Sequence, residues 1–135
     1  MAPTSHELST AYRNLLRSSL QAIQYTRGPA RKTMISRLRL GFRKPPASDF
    51  SQARIDRTVE FLQGAARSTG LEHKILKSLL FTWYGQEKWA QDRMRQSRTS
   101  GETGKYGKKQ LRLNAYDGFE FALWMLNEKM GTCLR

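Results

Sequence analysis

Acidic residues are scarce in this chain. Eleven Asp and Glu stand against 24 Lys and Arg in 135 residues, a formal net charge of +13. The imbalance disfavours basic partners and favours anionic ones: nucleic acid, an acidic protein or a membrane surface. No basic tail accounts for it. Residues 1–70 hold 12 Lys/Arg and 4 Asp/Glu; residues 71–135 hold 12 and 7. Cysteine is nearly absent, and Cys133 alone excludes an internal disulfide framework and a Cys-rich zinc site. Histidine is limited to His6 and His73, and neither belongs to a cluster with ligand spacing. No pair of carboxylates is arranged for acid–base work, and Cys133 has no histidine partner in view, so the chain is expected not to be an enzyme. Long apolar runs are missing too. None approaches the ~20 residues of a membrane-spanning helix. The first residues lack the apolar core of a secretory signal, and Glu7 without any Arg in residues 1–10 is unlike a cleaved mitochondrial presequence. An internal basic amphipathic helix would have to serve any import.

Helical periodicity fills the chain, with no strand alternation. The spacing predicts a first helix from about Ser5 to Thr26. Thr4 and Glu7 have the separation of a capping box, and Leu8, Tyr12, Leu15, Leu16, Ser19 and Ile23 form one face. Gly28-Pro29 breaks it. A second helix is expected over roughly Ala30–Arg43, with Met34, Ile35, Leu38 and Phe42 as its apolar stripe and Lys44-Pro45-Pro46 as its stop. A third opens near Ser48-Asp49, carries Ile55, Val59, Leu62 and Ala66, and ends at Ser68-Thr69-Gly70. Short connections suit an antiparallel three-helix bundle over residues 1–70.

Residues 71–135 read as a C-terminal helical extension of about two helices. The first, Leu71 to about Arg95, has a candidate kink at Gly85; the second spans roughly Asn114–Lys129. Between them a Gly-rich basic loop near 97–109 reads as flexible. It is not a phosphate loop: Thr99 and Tyr106 stand where a Walker motif needs glycine and Ser or Thr. Lys105, Lys108 and Lys109 around Tyr106 could contact RNA or an acidic client, or be simply solvated.

Two basic-aromatic segments stand out. Ala11-Tyr12-Arg13-Asn14-Leu15-Leu16-Arg17 opens the chain, and Arg37-Leu38-Arg39 with Phe42-Arg43 lies on the next helix. Arginine forks beside an apolar stripe suit an anionic head with a greasy tail. A solvated basic face over an ordinary core fits the same residues equally well.

These segments resemble the small mitochondrial LYR-motif proteins of the complex-I LYR class. Ala11-Tyr12-Arg13 matches the family's Leu-Tyr-Arg, with Leu15-Leu16-Arg17 after it, and the Arg-rich run ending in Phe42-Arg43 matches its second-helix pattern. Ala11 departs from leucine, as in the zinc-maintenance/complex-III assembly branch, to which the opening helix is most similar. The resemblance covers about residues 5–70. It implies an all-α fold: a LYR-type bundle with the helical extension after it. It also implies a mitochondrial-matrix adaptor or assembly factor that binds the mitochondrial acyl carrier protein and supports a respiratory-chain or iron–sulfur client. An accessory subunit of the mitochondrial ribosome or of respiratory complex I is the alternative, with RNA contact if ribosomal. The family pattern implies that Tyr12 and Phe42 line or gate an acyl tunnel. Arg13, Arg17, Arg37, Arg39 and Arg43 would meet phosphate or carrier carboxylates. The chain would need no cofactor or metal of its own, since the acyl-4'-phosphopantetheine belongs to the carrier. Outside the pattern, Trp83, Trp89 and Trp124 are candidate client anchors, although Trp83 and Trp124 also fall on helical stripes, where tryptophan is more often core.

Overall fold

The computed structural model describes residues 2–24, 28–44, 47–96 and 106–134, with the backbone alone for 47, 96 and 106–114. The described residues form five α-helices and one short 3₁₀ turn, with no strand among them: α1 Ser5–Ala22, α2 Pro29–Arg43, the turn Ala47–Asp49, α3 Gln52–Arg67, α4 Leu71–Gln96 and α5 Tyr106–Met130. The all-α fold class expected from the sequence is therefore the one observed.

Local chemistry accounts for most of the boundaries. Thr4 Oγ1 accepts the Glu7 N–H at 3.3 Å, and Glu7 Oε2 accepts the Thr4 N–H at 2.7 Å, completing the capping box of α1. α1 stops four residues before the expected Thr26, because Gln24 turns the backbone at φ 56°. Pro29 opens α2, where its missing N–H is no loss. The cap of α3 is Ser51, whose hydroxyl accepts the Arg54 N–H; Ser48 and Asp49 lie instead in the 3₁₀ turn. α4 runs through Gly85 as one continuous helix. α5 begins at Tyr106, about eight residues before the expected Asn114, so 106–109 are its first turn. The remainder of the expected loop, 97–105, lies outside the described residues, as do Pro45 and Pro46.

α1 and α3 pack most extensively, then α3 on α4, α2 on α4 and α1 on α2. The α1 face buries small residues, Ala11, Ser18, Ser19 and Ala22, beside Leu15. Ala11, the departure from leucine, is thus a core residue. Ser19 satisfies its buried hydroxyl on the Leu15 carbonyl at 2.6 Å. α3 contributes Ile55, Thr58, Phe61, Leu62 and Ala65, and α4 adds Leu76, Leu79, Leu80 and Trp83. Leu123 and Leu134 join the same cluster. The helix break at residue 70 is therefore not a break in the core.

α5 ends in a Schellman turn. Gly131 adopts φ 66°, and the Thr132 N–H reaches back to the Asn127 carbonyl at 3.1 Å. The Asn127 side chain then ties down the residues beyond the turn. Its Oδ1 accepts from the Thr132 hydroxyl (2.9 Å) and the Leu134 N–H (3.0 Å), and its Nδ2 donates to the Leu134 carbonyl (2.7 Å). Thr58 of α3 accepts the Cys133 N–H at 3.0 Å, and Arg54 pairs with Glu128 at 3.0 Å. This clasp fastens the end of α5 to α3.

Both ends of the bundle offer a test. Asn127→Ala strands two buried backbone groups, and chemical denaturation should show a loss of about 1–3 kcal/mol. The Glu7 carboxyl lies below its ordinary value, mainly because of its hydrogen bonds to Thr4. A depressed carboxyl stabilises the fold above its unfolded value and loses that contribution on acidification. The protection factors of the amides in the first turn of α1, taken against their intrinsic exchange rates, should therefore fall as pH falls through 4.5 and below. Glu7→Gln should abolish that dependence.

Candidate functional site

α2 buries only Thr33 and Met34 fully. The rest of its inward face borders a cavity of about 530 Å³. Leu8 and Leu15 of α1, Leu38 and Phe42 of α2, and Ile55 and Leu62 of α3 supply apolar wall. Trp83 of α4 and Trp124, Asn127 and Thr132–Leu134 of the α5 end complete it. The size lies within the roughly 300–1,000 Å³ of small-molecule pockets. Tyr12 meets Phe42 edge-to-face, ring centroids 5.4 Å apart, at the α1–α2 side of the cavity.

Arg37 also lines this space. Its guanidinium lies 5.2 Å from the Trp83 ring centroid and donates to Gln86 Oε1 at 2.8 Å. Burial lowers the pKa of this group below the usual arginine range, an effect that Glu87 and Glu120 oppose through space. Its Nε and the Trp83 Nε1 are both sealed from solvent without a hydrogen-bond partner.

The basic residues do not converge on one point. Arg37 faces inward, whereas Arg13, Arg39 and Arg43 are exposed. Arg17 borders a separate, shallow polar groove between α1 and α3, with Asn14, Gln21, Asp56 and Gln63. The tryptophans also divide. Trp83 is 2% exposed, a core residue and not a surface anchor. Trp89 is half-buried, 6.4 Å from the Tyr116 ring and beneath Arg93. Trp124 is 55% exposed, tilted against the exposed Phe121 at 6.0 Å, with one edge on the cavity.

A UPF0593 mitochondrial protein of Schizosaccharomyces pombe is 33% identical over 127 residues, 93% of this chain and 93% of the relative. The chain belongs to the UPF0593 family. The relative is a mitochondrial protein by name. No protein-family model and no solved structure matches the chain. Among the described residues no helix of this family member is long and apolar enough to cross a membrane, and no group of His, Cys, Asp or Glu could hold a metal ion.

Sequence reasoning missed the partners of Arg37 and the clasp. Arg37 falls one turn beyond Met34 on the stripe of α2, which is the signal that it points inward. Asn127, Thr132 and Cys133 carry no such pattern; only Gly131, placed to end a helix, hints at the turn.

Charge reversal separates the two kinds of arginine. Arg37→Glu sets a carboxylate over the Trp83 face and near Glu87 and Glu120, and should cost about 2 kcal/mol or more in urea denaturation. Arg39→Glu, at an exposed position, should stay within about 0.5 kcal/mol of the parent.

Proposed function

We propose that this UPF0593 protein is a non-enzymatic mitochondrial adaptor of the LYR type, acting in the matrix. It binds the acylated mitochondrial acyl carrier protein and supports assembly or stability of a respiratory-chain or iron–sulfur client. The supporting observation is the cavity: apolar wall from all three N-terminal helices, about 530 Å³, with the Tyr12–Phe42 pair beside it. An acyl chain entering it would gain ~0.8 kcal/mol per buried methylene. The exposed Arg13, Arg39 and Arg43 supply donors for the carrier's acidic helix and phosphate, adding orientation and on-rate more than affinity. Phe42 lines the tunnel and Tyr12 braces it. Arg37 belongs to the tunnel wall and not to the docking face, and Arg17 lies apart from both. The outward aromatic pair Phe121 and Trp124 is the best-placed client contact.

A second reading has its own observation. Lys74, Lys77 and Lys88 flank Phe81, 79% exposed, on the outer stripe of α4, a surface suited to ribosomal RNA. The experiment is a pulldown of tagged protein from mitochondria at high salt, with intact mass spectrometry of small co-purifying proteins. Acylated carrier at near-equal stoichiometry is expected, lost in Arg39→Glu/Arg43→Glu with the fold intact. Recovery of ribosomal RNA at low salt with no carrier at any salt would replace the adaptor reading by the ribosomal one.

A further inference from the structure

Arg37 is a half-buried cation with no carboxylate bonded to it among the described residues. It donates to a neutral amide oxygen on Gln86, and its Nε has no acceptor. Glu87 and Glu120 influence it only through space. The ion pair formed among the described residues is elsewhere, between Arg54 and Glu128. Trp83, against which the guanidinium rests, is buried with its own Nε1 unpaired. A partly desolvated charge is unfavourable unless an acceptor meets it; the sealed Nε and Trp83 Nε1 fix the guanidinium in place, and a guest would meet its remaining donors.

Both side chains line the same cavity, and Leu38, Phe42 and Leu62 give it apolar wall. We propose that the cavity binds a free monocarboxylic amphiphile, its carboxylate paired with Arg37 and its alkyl chain along Leu38, Phe42 and Leu62. The guanidinium fork matches a carboxylate, and the cavity walls match a chain. The volume suits a ligand of medium length. This rests on the cavity being a ligand site, as in the adaptor reading, but requires no carrier. The exposed arginines, which a carrier would need, take no part.

The test uses the full chain alone at high salt, with decanoate and decan-1-ol compared by isothermal titration calorimetry. The two ligands share a chain length and differ in the head. Decanoate should bind at one site about tenfold tighter than decanol, the difference expected of a charge-assisted hydrogen bond. Arg37→Met should remove that preference while decanol binding persists. Arg39→Glu/Arg43→Glu should leave the decanoate affinity unchanged. Equal affinity of decanoate and decanol for the parent protein would overturn the proposal without recourse to any variant. A decanoate preference lost in Arg39→Glu/Arg43→Glu would also overturn it, since the carboxylate would then sit on the surface. If the preference fails while carrier capture from mitochondria succeeds, the anionic anchor falls and the adaptor reading stands. The reverse pattern leaves the ligand site in place and removes the carrier.

Discussion

The fold depends on the close approach of α1 and α3. That approach is possible because α1 presents alanine and serine at the contact, and helix separation is set by the side chains between the axes. Ala11, Ser18, Ser19 and Ala22 let the two helices seat deeply, and Ser19 turns its hydroxyl back onto its own helix so that no polar group is stranded. α2 and α4 then lean on this pair with larger side chains. α2 cannot fill the space left to it: two residues are fully buried, and the rest of its inner face surrounds a void. The cavity is thus a product of an uneven core, tight on one side and open on the other.

The same unevenness explains how the arginines are sorted. On a fully packed α2, a residue at the position of Arg37 would have to be apolar. Beside a cavity, and over the face of Trp83, a guanidinium is tolerated there. Its neighbours Arg39 and Arg43 point to solvent and are ordinary surface charges by comparison. Basic residues that look alike in a helical run therefore differ in kind: the stripe of α2 marks Arg37 as the inward one, and Trp83, forty-six residues later, is the face it meets.

Such distant pairings mark the limit of what the sequence discloses. Local chemistry is legible residue by residue: Thr4 and Glu7 announce a capping box, Pro29 a helix start, and the stripes of α1–α3 a bundle. The cap of α3 lies later than the sequence suggests because Ser48, Asp49 and Ser51 are chemically equivalent candidates, and only the 3₁₀ turn decides among them. The start of α5 lies earlier than expected because Gly107 reads as a loop, whereas residues 108–113 are good helix formers by local propensity. The roof of the cavity is invisible in the sequence because it depends on contacts between Thr58 and Cys133 and between Arg54 and Glu128. These are long-range pairings that no local period encodes.

The clasp has a kinetic consequence. Thr58 and Cys133 are 75 positions apart, and closing that loop carries an entropic cost that the hydrogen bonds within each helix do not bear. The helices can therefore form before Leu134 is seated. During that interval the cavity exists without its roof, and a guest can enter by binding before closure, with no native contact to break. Once Asn127 has gathered Thr132 and Leu134, the clasp forms one wall of the cavity. Folding order would then give the site a wider mouth early than late.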